Sequence, residues 1–79
     1  MFYIIEIQED HEGHGAIVTP IQTAETKDEA MSKYHGILMY AALSTLRNHT
    51  CMVVDGTGQY FARETYHHPA PAENQSEEE

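Results

Sequence analysis

The segment from Lys27 to Leu46 reads as a helix whose apolar residues extend too far round its circumference. A helix resting on one sheet needs a single apolar stripe. Ala30, Tyr34, Ile37, Leu38, Ala41 and Ala42 supply it. At about 100° per residue, Met39, Leu43 and Leu46 point the other way, beside small Gly36 and Ser32. A second apolar patch requires a second surface to bury it. The predicted interface is therefore Gly36, Met39, Leu43 and Leu46, at spacings of 3, 4 and 3. Such a short heptad-like seam suits crossing helices.

The boundaries of that helix are marked in the sequence. Thr26-Lys27-Asp28-Glu29 forms a capping box, and the two acids suit the positive end of the helix. Arg47 suits the opposite end, with Asn48 as the residue just past it. Gly36 costs about 1 kcal/mol in mid-helix relative to alanine, which a close neighbour would rationalise.

Strands flank the helix. Phe2 to Gln8 is rich in isoleucine and begins to alternate. Ala16 to Thr23 alternates around Pro20, which lacks an N–H and so places this strand at a sheet edge. Thr50 to Asp55 is a near-continuous apolar run suited to a central position. Asp55-Gly56-Thr57-Gly58 is a turn into a fourth strand, Gln59 to Tyr66. The predicted class is α+β: a two-layer β-β-α-β-β domain, with a four-stranded antiparallel-rich sheet packed on one helix. Its two uncovered surfaces are the bare sheet face and the back of the helix.

The 79 residues allow one domain, assigned to residues 1–68, with 69–79 read as a disordered acidic tail. A domain this small is marginally stable and gains from a disulfide, a metal or a second copy. The single cysteine, Cys51, excludes an internal disulfide. The net charge is −9, and four of the thirteen acids fall in the tail. The remaining nine acids face four bases, which opposes binding to nucleic-acid phosphates or an anionic membrane and permits a basic protein partner. No apolar run is long enough to span a bilayer, and no secretory leader is recognisable. The lone cysteine fits a reducing, cytoplasmic compartment.

Three groups of residues invite a chemical reading. His11, His14, His67 and His68 could converge on zinc, but their spacing matches no finger and both segments are terminal or looped, so solvated histidines are preferred. His49 and Cys51 share a strand face, as a thiol nucleophile and its base would, yet the apolar strand favours a packed, inert thiol. Asp55-Gly56-Thr57-Gly58 has neither the following helix nor the lysine of a phosphate loop. No catalytic residue, metal or cofactor is assigned.

Tyr34-His35-Gly36-Ile37-Leu38 running into Ala41-Ala42, together with His49-Thr50-Cys51-Met52-Val53-Val54-Asp55, resembles short, uncharacterised proteins of Firmicute genomes, phages and mobile elements. The resemblance spans most of residues 2 to 67 and carries no catalytic residues. It implies an accessory protein that modulates a host protein. The expected function is a non-enzymatic protein–protein interaction module acting as a homodimer. The alternatives are an acidic, DNA-mimicking inhibitor of a nuclease and a phage virion or assembly component.

Overall fold

The computed structural model describes residues 1–70. The acidic tail lies, from Pro71 onward, outside the described residues. The elements are β1 (Phe2–Glu9), β2 (Gly15–Ile17), β3 (Gln22–Ala24), α1 (Lys27–Leu43), β4 (Asn48–Asp55) and β5 (Tyr60–His67). The sheet runs β2-β1-β4-β5, every pair antiparallel, and β3 also pairs with β1. One helix packed on this sheet makes the expected two-layer α+β domain.

The second strand of the sequence is the point of difference, because it forms as two short strands. The Val18 N–H still donates to the Glu6 carbonyl at 2.8 Å. Pro20 then has no N–H to offer, and pairing resumes only where Gln22 meets Ile4. The Thr19–Pro20 peptide is cis. Both halves lie on the outer side of β1, so the edge position inferred from the proline holds.

Alternation divides each strand between two faces. Ile4, Cys51 and Val53 point at the helix, where they meet Ala30 and Tyr34 in the core. Ala30 and Ala41 are fully enclosed, and their small size lets the helix axis approach the sheet. Burying Ile4 or Val53 contributes about 2 kcal/mol each. Phe2 closes one end of the core edge-on against Phe61, with ring centres 5.6 Å apart. Tyr3, Ile5, Ile7, Met52 and Val54 lie on the opposite, uncovered face, flanked by exposed Ile17 and Tyr60.

The helix starts where its capping residue predicts. The Glu29 N–H donates to Thr26 Oγ1 at 3.2 Å. Its end is earlier than the sequence reading. α1 stops at Leu43, and Ser44 is already extended. The cause is the ladder between β1 and β4. Pairing reaches Asn48 opposite Glu9, so the chain has only residues 44–47 in which to reverse. Asn48 therefore opens β4 rather than ending the helix. Arg47 does not cap it either; among the described residues the last helical turn contains no basic side chain. Instead His68 Nε2–H donates to the Ala41 carbonyl at 3.0 Å.

The turn from β4 to β5 is organised by Asp55. Its Oδ1 accepts from Thr57 N–H (2.8 Å), Thr57 Oγ1–H (2.6 Å) and Gln59 N–H (3.2 Å). Gly58 adopts φ +90°, which a side chain would strain. These donors, Thr57 Oγ1 foremost, hold the Asp55 carboxyl below its usual 3.8. The turn's contribution is thus present above pH 3.8 and is lost as pH falls through the lower, folded value. Following Thr57 and Gln59 amide shifts in an acid titration by NMR should show both moving together below pH 3.8, and neither doing so in Asp55→Asn.

Candidate functional site on the outer helix face

The helix carries its surplus apolar surface outward. Met39 is 65% exposed, Tyr40 75% and Leu43 82%. With Gly36 they fall at i, i+3, i+4 and i+7, which is one ridge of a helix. Gly36 leaves a groove beside that ridge: a Cβ placed there meets no atom within 4 Å.

One predicted member does not belong. Leu46 lies beyond the helix end, is half-buried, and faces Gln8, Asp10 and Ala16 near the first loop. It left the seam because the helix ends a turn earlier than its apolar periodicity suggests. Tyr40 takes its place. Its i, i+4 spacing from Gly36 is the signal in the sequence that places it on this face.

Beside the ridge is an open depression of about 550 Å³, lined by Glu6, Gln22 and Lys33 as well as Gly36, Met39 and Tyr40. Lys33 is held in place: its Nζ donates to the Thr23 carbonyl at 2.7 Å and lies 3.6 Å from Glu29. Glu6 forms the floor and connects to a buried polar chain that the sequence reading missed. His49, only 3% exposed, lies with Nε2 2.6 Å from Glu6 Oε2 and Nδ1 3.1 Å from Ser44 Oγ. Ser44 Oγ is also 3.2 Å from the Ala41 carbonyl. A neutral imidazole donates from Nε2 to Glu6 and accepts the Ser44 hydroxyl proton. A protonated one donates at both nitrogens, and Ser44 then donates to Ala41. Both arrangements leave every member satisfied, as a buried polar group requires.

Serine, imidazole and carboxylate in sequence have the outline of a nucleophile, its base and an orienting acid. The surroundings oppose that chemistry. Ser44 sits at the C-terminal end of α1, where helix carbonyls converge and the dipole is negative. An oxyanion formed there would be repelled rather than stabilised. The network pins the helix end to β1 and β4.

The thiol reading also fails on geometry. His49 and Cys51 do share the helix-facing side of β4, but both imidazole nitrogens are engaged elsewhere. Cys51 is fully enclosed. Burial, reinforced by the Glu6 charge, pushes its thiol up to about 12. Native Cys51 should resist a disulfide reagent at pH 8 and react only after denaturant is added. Because the native thiol keeps its proton while the unfolded one loses it, stability should decline as pH rises from about 9 towards 12.

Among the described residues the four terminal and loop histidines do not gather into one ligand set. His11 Nε2–H donates to the Thr45 carbonyl at 3.0 Å, and His11 and His68 line one depression near Arg47. His67 bonds through Nδ1 to Asn48 Oδ1. His14 lies 3.4 Å from Asp10 and 3.7 Å from Glu12. Asp10, Glu12 and His14 thus gather their ligand atoms within 4.8 Å. Turn formation accounts for this: Asp10 Oδ1 accepts the N–H groups of both Glu12 and His14 at 2.9 Å. The His14 backbone bond, first among the causes, holds the Asp10 carboxyl low.

No protein-family model, curated protein or solved structure matches this chain. Among the described residues, no helix is long and apolar enough to cross a membrane.

Proposed function

We propose that this chain is a non-enzymatic protein–protein interaction module that pairs with a second copy across the outer face of α1. The observation that carries this reading is the ridge of Met39, Tyr40 and Leu43, exposed together beside the Gly36 groove. Two such ridges related by a two-fold axis present the same surface to each other, as an isologous dimer requires. The large side chains of one copy fill the groove of the other, in the manner of ridges packing into grooves. The chain is acidic, yet Lys33 and Glu29 beside the ridge already neutralise each other, which limits repulsion between copies.

The nuclease-inhibitor alternative needs free carboxylates in rows. Asp10 and Asp55 instead serve as acceptors within turns, and Glu6 is engaged by His49. This leaves acidic edges that steer the encounter with a basic partner, while apolar anchors supply the affinity. Analytical ultracentrifugation of the native chain and of Leu43→Glu tests the pairing.

A further inference from the structure

On the sheet face away from α1, an aliphatic strip runs into a fixed polar chain. Register places Ile17, Ile7, Thr50 and Thr65 in one row across β2, β1, β4 and β5. The next row on the same face is Gly15, Glu9, Asn48 and His67. All but His67 line an open trough of about 660 Å³. Ile7 and Ile17 form its aliphatic floor, and the hydroxyls of Thr50 and Thr65, 2.9 Å apart, border it on the β5 side. Gly15 leaves the β2 end open, because no side chain stands opposite Glu9.

Glu9 is half-buried and held in place. His67 Nδ1–H donates to Asn48 Oδ1, and Asn48 Nδ2–H donates to Glu9 Oε1. Among the described residues Glu9 Oε2 has no hydrogen-bond partner, and no cation pairs with the carboxylate. Arg63, the one Lys or Arg on this face, lies over the Tyr60 ring at 5.8 Å instead. An oriented carboxylate at the end of an aliphatic trough complements an alkylammonium, whose stem covers the floor while its head meets the charge.

This chain cannot supply that group itself. Its lysines are Lys27 and Lys33 alone. Lys27 Nζ lies over the Phe61 ring at 5.4 Å, and Lys33 Nζ is held by the Thr23 carbonyl and Glu29. Residues 71–79 contain no base. A guanidinium, such as the exposed Arg47 of a second copy, presents a fork that needs two acceptors, and Glu9 has one oxygen free.

We infer that this trough takes a lysine side chain of a different, basic protein, with its methylenes over Ile7 and Ile17 and its ammonium on Glu9 Oε2. The inference rests on the proposed reading of a basic partner and not on the helix dimer, which uses the opposite layer.

The test uses the full chain and a blocked peptide, Gly-Thr-Lys-Thr-Gly, with norleucine or arginine in place of lysine in two controls. Methyl NMR should show the Ile7 and Ile17 signals shifting with the lysine peptide and saturating at millimolar concentration. The norleucine peptide keeps the stem and lacks the ammonium, so it should bind about tenfold more weakly. Glu9→Gln retains the acceptor for Asn48 and removes the charge; it should weaken the lysine peptide about tenfold, with far-UV circular dichroism unchanged. Gly15→Val should also weaken it, by filling the open end. A Cβ there meets the Gln8 carbonyl oxygen at 3.6 Å and Glu9 Cγ at 3.9 Å, both ordinary contacts, so the fold is kept. Equal binding by either control peptide, or full binding by either variant, would overturn the inference. Tighter binding of n-butylammonium than of the peptide would overturn the choice of a protein lysine. Lysine-peptide shifts confined to other acidic residues would sink this site and keep the basic partner, whereas no shift anywhere would count against both. Leu43→Glu should bind the peptide as the native chain does, which separates failure of this site from failure of the helix dimer.

Discussion

His49→Ala should destabilise the fold by about 3 kcal/mol, because it leaves Glu6 and Ser44 without their shared partner. A domain of this size has a total stability of about 4–10 kcal/mol, so the loss is a large fraction of it. Urea titration followed by circular dichroism should register a lower midpoint at unchanged slope. The cost lies in a half-buried Glu6 carboxylate left with only the Gln8 side-chain amide, at 3.1 Å, more than in lost packing. Replacing both ends by apolar side chains, as in Glu6→Met with His49→Leu, should therefore recover most of the loss. A double variant as unstable as the sum of its singles would show that the imidazole acts by filling space.

Leu43→Glu should abolish self-association and leave the subunit folded. Leu43 is 82% exposed in one subunit, so the substitution removes no internal contact. Across a two-fold axis it would place two carboxylates in an apolar seam, at a penalty of several kcal/mol, or about a thousandfold in the dimer constant. Gly36→Ala separates helix propensity from close approach. With open space at its Cβ, it should stabilise the isolated subunit by about 1 kcal/mol. The same methyl group should narrow the groove and weaken association. A dimer strengthened by Gly36→Ala would place the contact elsewhere on the molecule.

Local physics made most of the architecture legible. Thr26 fixed the helix start because the capping bond depends on neighbouring residues only. Pro20 located a sheet edge because a missing N–H has no remedy in a central strand. The helix end was not legible, because it is set by the register of β1 against β4, a relation between residues about 40 apart in sequence. The same long-range pairing moved Leu46 off the helix. It also hid the Glu6–His49–Ser44 chain, whose members look unrelated until β1, the helix end and β4 are brought together. Strand alternation alone puts His49 on the same face as Cys51, but its hydrogen-bond partners come from β1 and the helix end.

The most direct measurement is sedimentation equilibrium of the full chain over a range of micromolar concentrations, alongside Leu43→Glu. The outward ridge predicts a native species of about twice the 9.0 kDa chain mass, and a folded variant at the mass of one chain. A native chain that sediments at 9.0 kDa throughout, or a variant that remains paired, would contradict it.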